Sequence, residues 1–262
     1  MKRPSAAVSA LAALALTACG SGGGSDDAPA GGEPRTLTVF AAASLTDSFE
    51  EIASDFEASQ EETGNQEVTV EFNFGGSSDL VAQLQSGAPA DVFASADVAN
   101  MTKATDDDLI DGEPQLFATN VLQIATPPDN PAGIEELSDL ADDDVQVVLC
   151  APEVPCGAAS AKVEQAADID ITPVSEEQAV TDVLGKVASG EGDAGLVYVT
   201  DVIGAGDDVL GIDFPESEEA VNEYPIAALA DSEQAELAQQ FVDFVLGERG
   251  QKVLADAGFG AP

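Results

Sequence analysis

Three observations predict an α/β protein assembled from two sections of similar plan. Between residues 37 and 94, short β-branched or aromatic runs alternate with amphipathic stretches in the order strand, helix, strand, helix, strand. From about residue 120 the same alternation begins again and continues to residue 199. The third observation is composition. Hydrophobic residues are 44% of the 262-residue chain, enough for packed cores and too many for a disordered acidic chain. Strands that alternate with helices pair as a parallel sheet with helices on its faces. The length accommodates one large domain or two lobes of roughly 100 residues each.

The first strand is Leu37-Thr38-Val39-Phe40, running into Ala41-Ala42-Ala43-Ser44. Leu45, Phe49, Ile52 and Phe56 follow at i, i+4, i+7 and i+11, the single apolar stripe of a helix. Val68-Thr69-Val70-Glu71-Phe72 alternates as a strand and ends in Phe74-Gly75-Gly76-Ser77-Ser78. A short helix with Leu80, Val81 and Leu84 stops at Gly87, and Asp91-Val92-Phe93-Ala94 is the third strand. In the second section, strands are expected near Asn120–Ile124 and Val145–Leu149, and helices over about 158–167 and 176–188. Strands at Ala194–Val199, Val209–Phe214 and Pro225–Leu229 come next. A closing helix from Asp231 to Gly247 carries Leu237, Phe241, Phe244 and Val245 on one stripe, with Asp231 or Ser232 as N-cap.

Ahead of the folded sections, Lys2 and Arg3 precede a run of small apolar residues from Ala6 to Ala18. The run is shorter than the ~20 residues of a membrane span and has the form of a secretory signal. Its end, Leu16-Thr17-Ala18-Cys19-Gly20, resembles the lipobox of bacterial lipoproteins. That implies a signal peptide over residues 1–18, acylation of Cys19, and a lipid-anchored flexible linker over 19–35. The expected location is extracytoplasmic, at the surface of the cell membrane. Two further cysteines, Cys150 and Cys156, close a short Pro-containing loop. Outside the cytoplasm such a pair is expected to form a disulfide, the alternative being two buried free thiols.

Charge narrows the function. The chain has 50 acidic side chains, 8 basic ones and no histidine, for a formal net charge of −42. No basic patch is available to neutralise phosphates, which excludes nucleic acid as a partner. The missing histidine removes Ser-His-Asp and Cys-His nucleophile pairs, imidazole zinc sites and the usual proton shuttle near neutral pH. What remains are four turns that open helices: Ala43-Ser44, Gly75-Gly76-Ser77-Ser78, Pro155-Cys156-Gly157 and Ser175–Val180. A helix N-terminus presents unpaired N–H groups and about half a positive charge. In an open α/β sheet such turns sit at the carboxyl ends of strands, where ligands bind. For any one turn, a serine serving as a plain N-cap is the simpler reading. Four together, two in each section, point to a shared anion site.

The runs VFAAASLT (39–46), GAPADVFASAD (87–97), VPCG (154–157), GLVY (195–198) and EYPI (223–226) resemble the periplasmic molybdate-binding proteins of bacterial ABC importers. The likeness covers essentially all of residues 36–262. It implies a two-lobed type II periplasmic-binding-protein fold with the ligand in the interlobe cleft. Lobe 1 would comprise residues 36–118 and 225–262, and lobe 2 residues 119–224. The implied ligand is molybdate or tungstate, its metal bound only as the oxyanion and without direct protein–metal ligands. An ABC permease as partner, a monomeric state, no cofactor and no enzymatic activity follow from the same resemblance. It also assigns roles: the hydroxyls of Ser44, Ser77 and Tyr198, and the backbone amides of Cys156 and Val180. Ser78 beside Ser77 leaves that register open. Cys156 stands where the family more familiarly has alanine, a change that a backbone donor tolerates. From the residues alone, the lesser alternatives are that Tyr198 is a core aromatic with its hydroxyl at the surface and that Val180 is only part of the apolar face with Val183, Leu184 and Val187. The alternatives to molybdate are another anion such as sulfate and, further off, a secreted hydrolase with a carboxylate pair.

Overall fold

The structure is a computed structural model that describes residues 34–64 and 67–262. The expected signal peptide, Cys19 and all but the last two residues of the linker lie outside the described residues. The first section runs β1 (Arg35–Ala42), a 3-10 turn (Ala43–Leu45), α1 (Thr46–Glu62), β2 (Val68–Gly75), α2 (Ser77–Gln85), β3 (Val92–Ala94), α3 (Val98–Asp106) and β4 (Gln115–Asn120). The second runs β5 (Leu122–Thr126), β6 (Val147–Cys150), α4 (Pro155–Ala167), β7 (Ser175–Glu177), α5 (Val180–Ala188), β8 (Ala194–Tyr198), α6 (Val199–Ala205) and β9 (Leu210–Ile212). The chain closes with β10 (Asn222–Ala228), α7 (Ala235–Leu246) and α8 (Glu248–Asp256).

These strands form two five-stranded sheets, ordered β2-β1-β3-β10-β4 and β7-β6-β8-β5-β9. In the first, β1 lies parallel to β2 and β3, as the strand–helix alternation predicts, while β10 is antiparallel to both β3 and β4. The second repeats the plan, with β6 parallel to β7 and β8, and β5 antiparallel to β8 and β9. In each sheet the antiparallel insertion in fourth place is the strand that has just crossed from the other sheet. Both crossings are short, through Val121 on the way out and Val221 on the way back, and Asn120 faces Asn222 in the β4–β10 register. Thr119, Asn120 and Asn222 to Tyr224 therefore pair within the first sheet, on the other side of the divisions expected at 118/119 and 224/225. Pro225 reads as a strand start, but the strand absorbs it through a register shift between Tyr224 and Pro225.

Strand periodicity distributes the core. Leu37, Val39 and Ala41 point to one side of the first sheet, packing with Phe49, Phe56, Phe117 and Phe241, and Phe40 points to the other with Leu80, Phe93 and Met101. The second sheet is buried around Ile124, Val147, Leu196 and Val183. Asp91 of the GAPAD run is structural. Its carboxylate accepts from the Thr38 N–H at 2.8 Å and from the Ser232 hydroxyl at 2.6 Å, locking β1 to the lead into α7.

The elements differ from expectation in instructive places. Residues 175–177 form β7, not the start of a helix, because the open edge of β6 recruits them in parallel register; tertiary pairing overrides the helical preference of Glu-Glu-Gln. The Ser232 hydroxyl donates to Asp91 and accepts from the Gln234 N–H at 3.0 Å, bracing a turn ahead of α7, which starts at Ala235 and not at Asp231. Sequence patterning does not anticipate α3, α6 or α8. In α8, Gly247 looks like a terminus and Gly250 like a breaker, yet a Cβ at Gly250 would lie 2.5 Å from the Val245 carbonyl oxygen, so the tight junction with α7 requires that glycine. Among the described residues no helix is long and apolar enough to cross a membrane.

Candidate functional site

The carboxyl ends of β1, β2, β6 and β8 all run into turns that meet between the two sheets. Three of these turns open helices preceded by residues without a side-chain oxygen to cap them: Ala42 before the 3-10 turn, Gly76 before α2 and Val154 before α4. Ala179 before α5 is a fourth, and none of the four makes a side-chain cap hydrogen bond. Ser77 is the first residue of α2, not its N-cap, and Ser44 lies inside the 3-10 turn. The plain N-cap reading therefore fails for both serines. First-turn N–H groups such as those of Ser77, Cys156, Gly157 and Val180 have no acceptor within their own helices. Pro155 occupies the first position of α4, where its missing N–H is no loss.

Close approach is written into two glycines. A Cβ on Gly76 would sit 2.0 Å from the carbonyl oxygen of Gln178, across the gap between the sheets. A Cβ on Gly157 would sit 2.0 Å from the Ala151 carbonyl oxygen, so the chain can fold back tightly at the start of α4 only with glycine there.

Ser44, Ser77, Cys156, Val180 and Tyr198 all line one cavity, together with Ala42, Gly76, Ala96 and Pro155. Its volume is about 10 Å³, the scale of one water or small ion, far below that of a sugar or peptide. A larger cavity of about 430 Å³ adjoins it and shares Ala43 and Ser44. The titratable groups of that neighbour are both acidic, Asp47 and Asp201, and offer an anion no favourable partner, so the smaller cavity is the candidate site despite its size. No lysine or arginine lines either cavity.

The hydroxyls are set up as donors. Ser77 is 1% exposed, and its Oγ accepts from the Ala96 N–H at 3.0 Å, which leaves the serine proton available. The Oγ of Ser44 lies 3.0 Å from the hydroxyl of Tyr224. Tyr198 is buried, and its hydroxyl has no hydrogen-bond partner among the described residues. Tyr224 interacts with it electrostatically but makes its well-formed hydrogen bond to Ser44. Burial first, and then the nearness of Tyr224, Asp201 and Asp97, hold the Tyr198 phenol far above its ordinary titration range. It therefore keeps its proton and offers a donor. A buried donor without a partner costs about 1–3 kcal/mol, a cost that a ligand oxygen removes. Ser78 Oγ is also buried without a partner, but Ser78 lies outside the lining of this cavity.

Supporting groups fix these donors. The Asp201 carboxylate accepts from the Tyr198 N–H at 2.8 Å and holds the junction of β8 with α6. Burial pushes that carboxyl up to about 7, the Tyr198 N–H opposes the shift, and the charge of Asp47 adds to it. Cys150 at the end of β6 and Cys156 in the first turn of α4 are joined, with Cα atoms 5.7 Å apart. The thiol and the amide of Cys156 are different atoms, so the crosslink leaves the N–H free for a ligand. Tyr224 is a site residue that sequence reasoning missed. The EYPI run carries it, yet nothing in the run assigns it a role; the available signal was a hydroxyl at the point where β10 turns from polar (Asn222, Glu223) to apolar.

Comparison with known proteins follows the same line. The family described as "Bacterial extracellular solute-binding protein" matches residues 37–260. The molybdate-binding protein ModA of Mycobacterium tuberculosis is 45% identical over 257 residues, covering 97% of this chain and 96% of that protein. Among solved structures, the periplasmic molybdate-binding protein of Azotobacter vinelandii superposes with a TM-score of 0.72 at 22% identity, over 86% of this chain and 99% of that one. The sulfate-binding protein SubI of M. tuberculosis superposes with a TM-score of 0.71 at 21% identity, over 86% of each chain. At such identities the two superpositions establish the fold, the α/β type II architecture, and no ligand.

Proposed function

This chain belongs to the family of bacterial extracellular solute-binding proteins, and on that premise we propose that it captures molybdate or tungstate outside the cytoplasm and delivers it to the permease of an ABC importer. The observation that carries the proposal is the donor set. Hydroxyls and helix-start amides from both sheets line one small cavity, and no formal positive charge lines it. A doubly charged oxyanion at neutral pH has only acceptors. A site composed of donors matches it and disfavours protonated anions, which would bring an unpaired hydrogen. Helix dipoles and amides also avoid the desolvation cost of a buried lysine or arginine. Discrimination against sulfate would rest on how far apart the donors stand when the lobes close on the anion, because molybdate and tungstate are the larger tetrahedra.

In this account Ser44, Ser77 and Tyr198 donate hydroxyl protons, Cys156 and Val180 donate amides, and the metal never meets a protein ligand. Lobe 1 (36–118 with 225–262, extended by the pairing of β4 with β10) closes on lobe 2 over the anion. The protein works as a monomer without a cofactor, is tethered through Cys19, and binds and releases without catalysis. Thermal denaturation tests it. A rise of several degrees in melting temperature with molybdate or tungstate and little change with sulfate is expected from ligand linkage. No shift with either group 6 oxyanion would contradict the proposal.

A further inference from the structure

We propose that Tyr224 is a positioning residue for the anion site, donating its hydroxyl proton to Ser44 Oγ so that the single proton of Ser44 is directed at the ligand. The inference rests on the oxyanion reading above and deepens it. A serine hydroxyl has one proton and two lone pairs. An oxyanion accepts only, so Ser44 must donate to it. The 3.0 Å contact between Ser44 Oγ and the Tyr224 hydroxyl then has one possible direction, with Tyr224 as donor.

The partner serine is arranged in the same way. Ser77 receives the Ala96 N–H at 3.0 Å, so each serine has a fixed donor behind it and its own proton toward the cavity. Tyr224 is held for the task. It is fully buried, and its ring packs against Phe117, Tyr198 and Phe259 with centroids 5.4 to 6.1 Å apart. Burial, as the main cause, also holds its phenol far above the ordinary range, so it stays protonated. Tyr224 does not line the cavity, so it acts on binding through the two cavity residues it touches, Ser44 by the hydrogen bond and Tyr198 by ring packing, and the Ser44 route is the one a cycle with Ser44 isolates.

A double-mutant cycle on molybdate affinity, measured by calorimetry with the purified protein, separates this role from general packing. Tyr224→Phe removes the donor and keeps the ring. It is expected to weaken molybdate binding about tenfold in the wild-type background, the scale of one oriented hydrogen bond. In the Ser44→Ala background the same change should alter affinity less than about twofold, because nothing remains to orient. An equal loss in both backgrounds, or no loss in either, overturns the proposal. If the wild-type protein itself binds no molybdate, the oxyanion reading fails first, and the two failures are thus distinguishable. A check that does not depend on Tyr224→Phe folding uses fluorotyrosine, since the chain has only two tyrosines. The Tyr224 fluorine resonance, assigned with Tyr198→Phe, is expected to move on adding molybdate to the wild type and to stay in place in Ser44→Ala. A resonance that moves equally in both contradicts the relay.

Discussion

Ser77 and Ser78 are neighbours with the same side chain, and their surroundings separate them. Ser77 lines the cavity with its lone pair occupied by Ala96, whereas Ser78 lies outside the lining. Ser77→Ala is therefore expected to weaken molybdate binding by about 1–3 kcal/mol, while Ser78→Ala leaves affinity within about twofold; titration of both variants checks the register, and the reverse order would contradict it. Ser44, Cys156 and Tyr198 are legible because each sits in a recognisable run, whereas Ser77 and Val180 follow only from their places at helix starts, and the sequence could not show which of two adjacent serines turns inward. Asp201 was invisible for a different reason: its importance comes from burial, which composition does not report. Its carboxyl titrates near 7 in the folded protein against an ordinary 3.8. Between roughly pH 4 and 7 the folded state thus keeps a proton that the unfolded chain has lost, and stability falls as pH rises through that window. Asp201→Asn should narrow the difference in melting temperature between pH 5 and pH 8. An unchanged difference would show that Asp201 does not carry the effect.

Helix starts are the elements that make the site, and they were largely legible. Alternation of apolar runs located α1, α2 and α4, and the glycines and serines before them marked the turns. The start of α5 was misplaced because Ser175–Glu177 gain a sheet edge that no local pattern reveals. That shift matters chemically, since it makes Val180 the first residue of α5, with a free N–H at the cavity. The junction of β6 with α4 is held by the Cys150–Cys156 crosslink, across a sequence separation of six. Closing so short a loop contributes roughly 2 kcal/mol through the unfolded chain. Replacing both cysteines with serine should lower unfolding stability in urea by about that amount, and should also weaken anion binding by loosening the Cys156 amide. Equal stability and equal affinity would show that the crosslink does neither.

In the molecule as a whole, two sheets of one plan bring turns at their strand ends to one cavity, and the chain crosses between them at Val121 and Val221. Gly76 against the Gln178 carbonyl sets how closely they approach. Gly76→Ala should leave the melting temperature of the ligand-free protein near that of the wild type, because the clash arises only across the gap. It should weaken molybdate binding by more than about tenfold, and small-angle scattering should show a more extended particle in the presence of molybdate. Wild-type affinity in that variant would contradict closure at this contact. The net charge of −42 looks unsuited to the dianion capture proposed above, and uncharged donors resolve the conflict by distance. Salt screens the global field over about 8–10 Å, while uncharged donors in the cavity act at contact. The acidity is then a property of the outer surface, suited to solubility or a salty exterior, and not a description of the ligand. The decisive experiment is calorimetric titration of the purified protein at physiological salt. Saturable binding of one molybdate per chain, undisplaced by a large excess of sulfate, is expected; an absence of molybdate binding, or sulfate binding of equal strength, would contradict the proposed function.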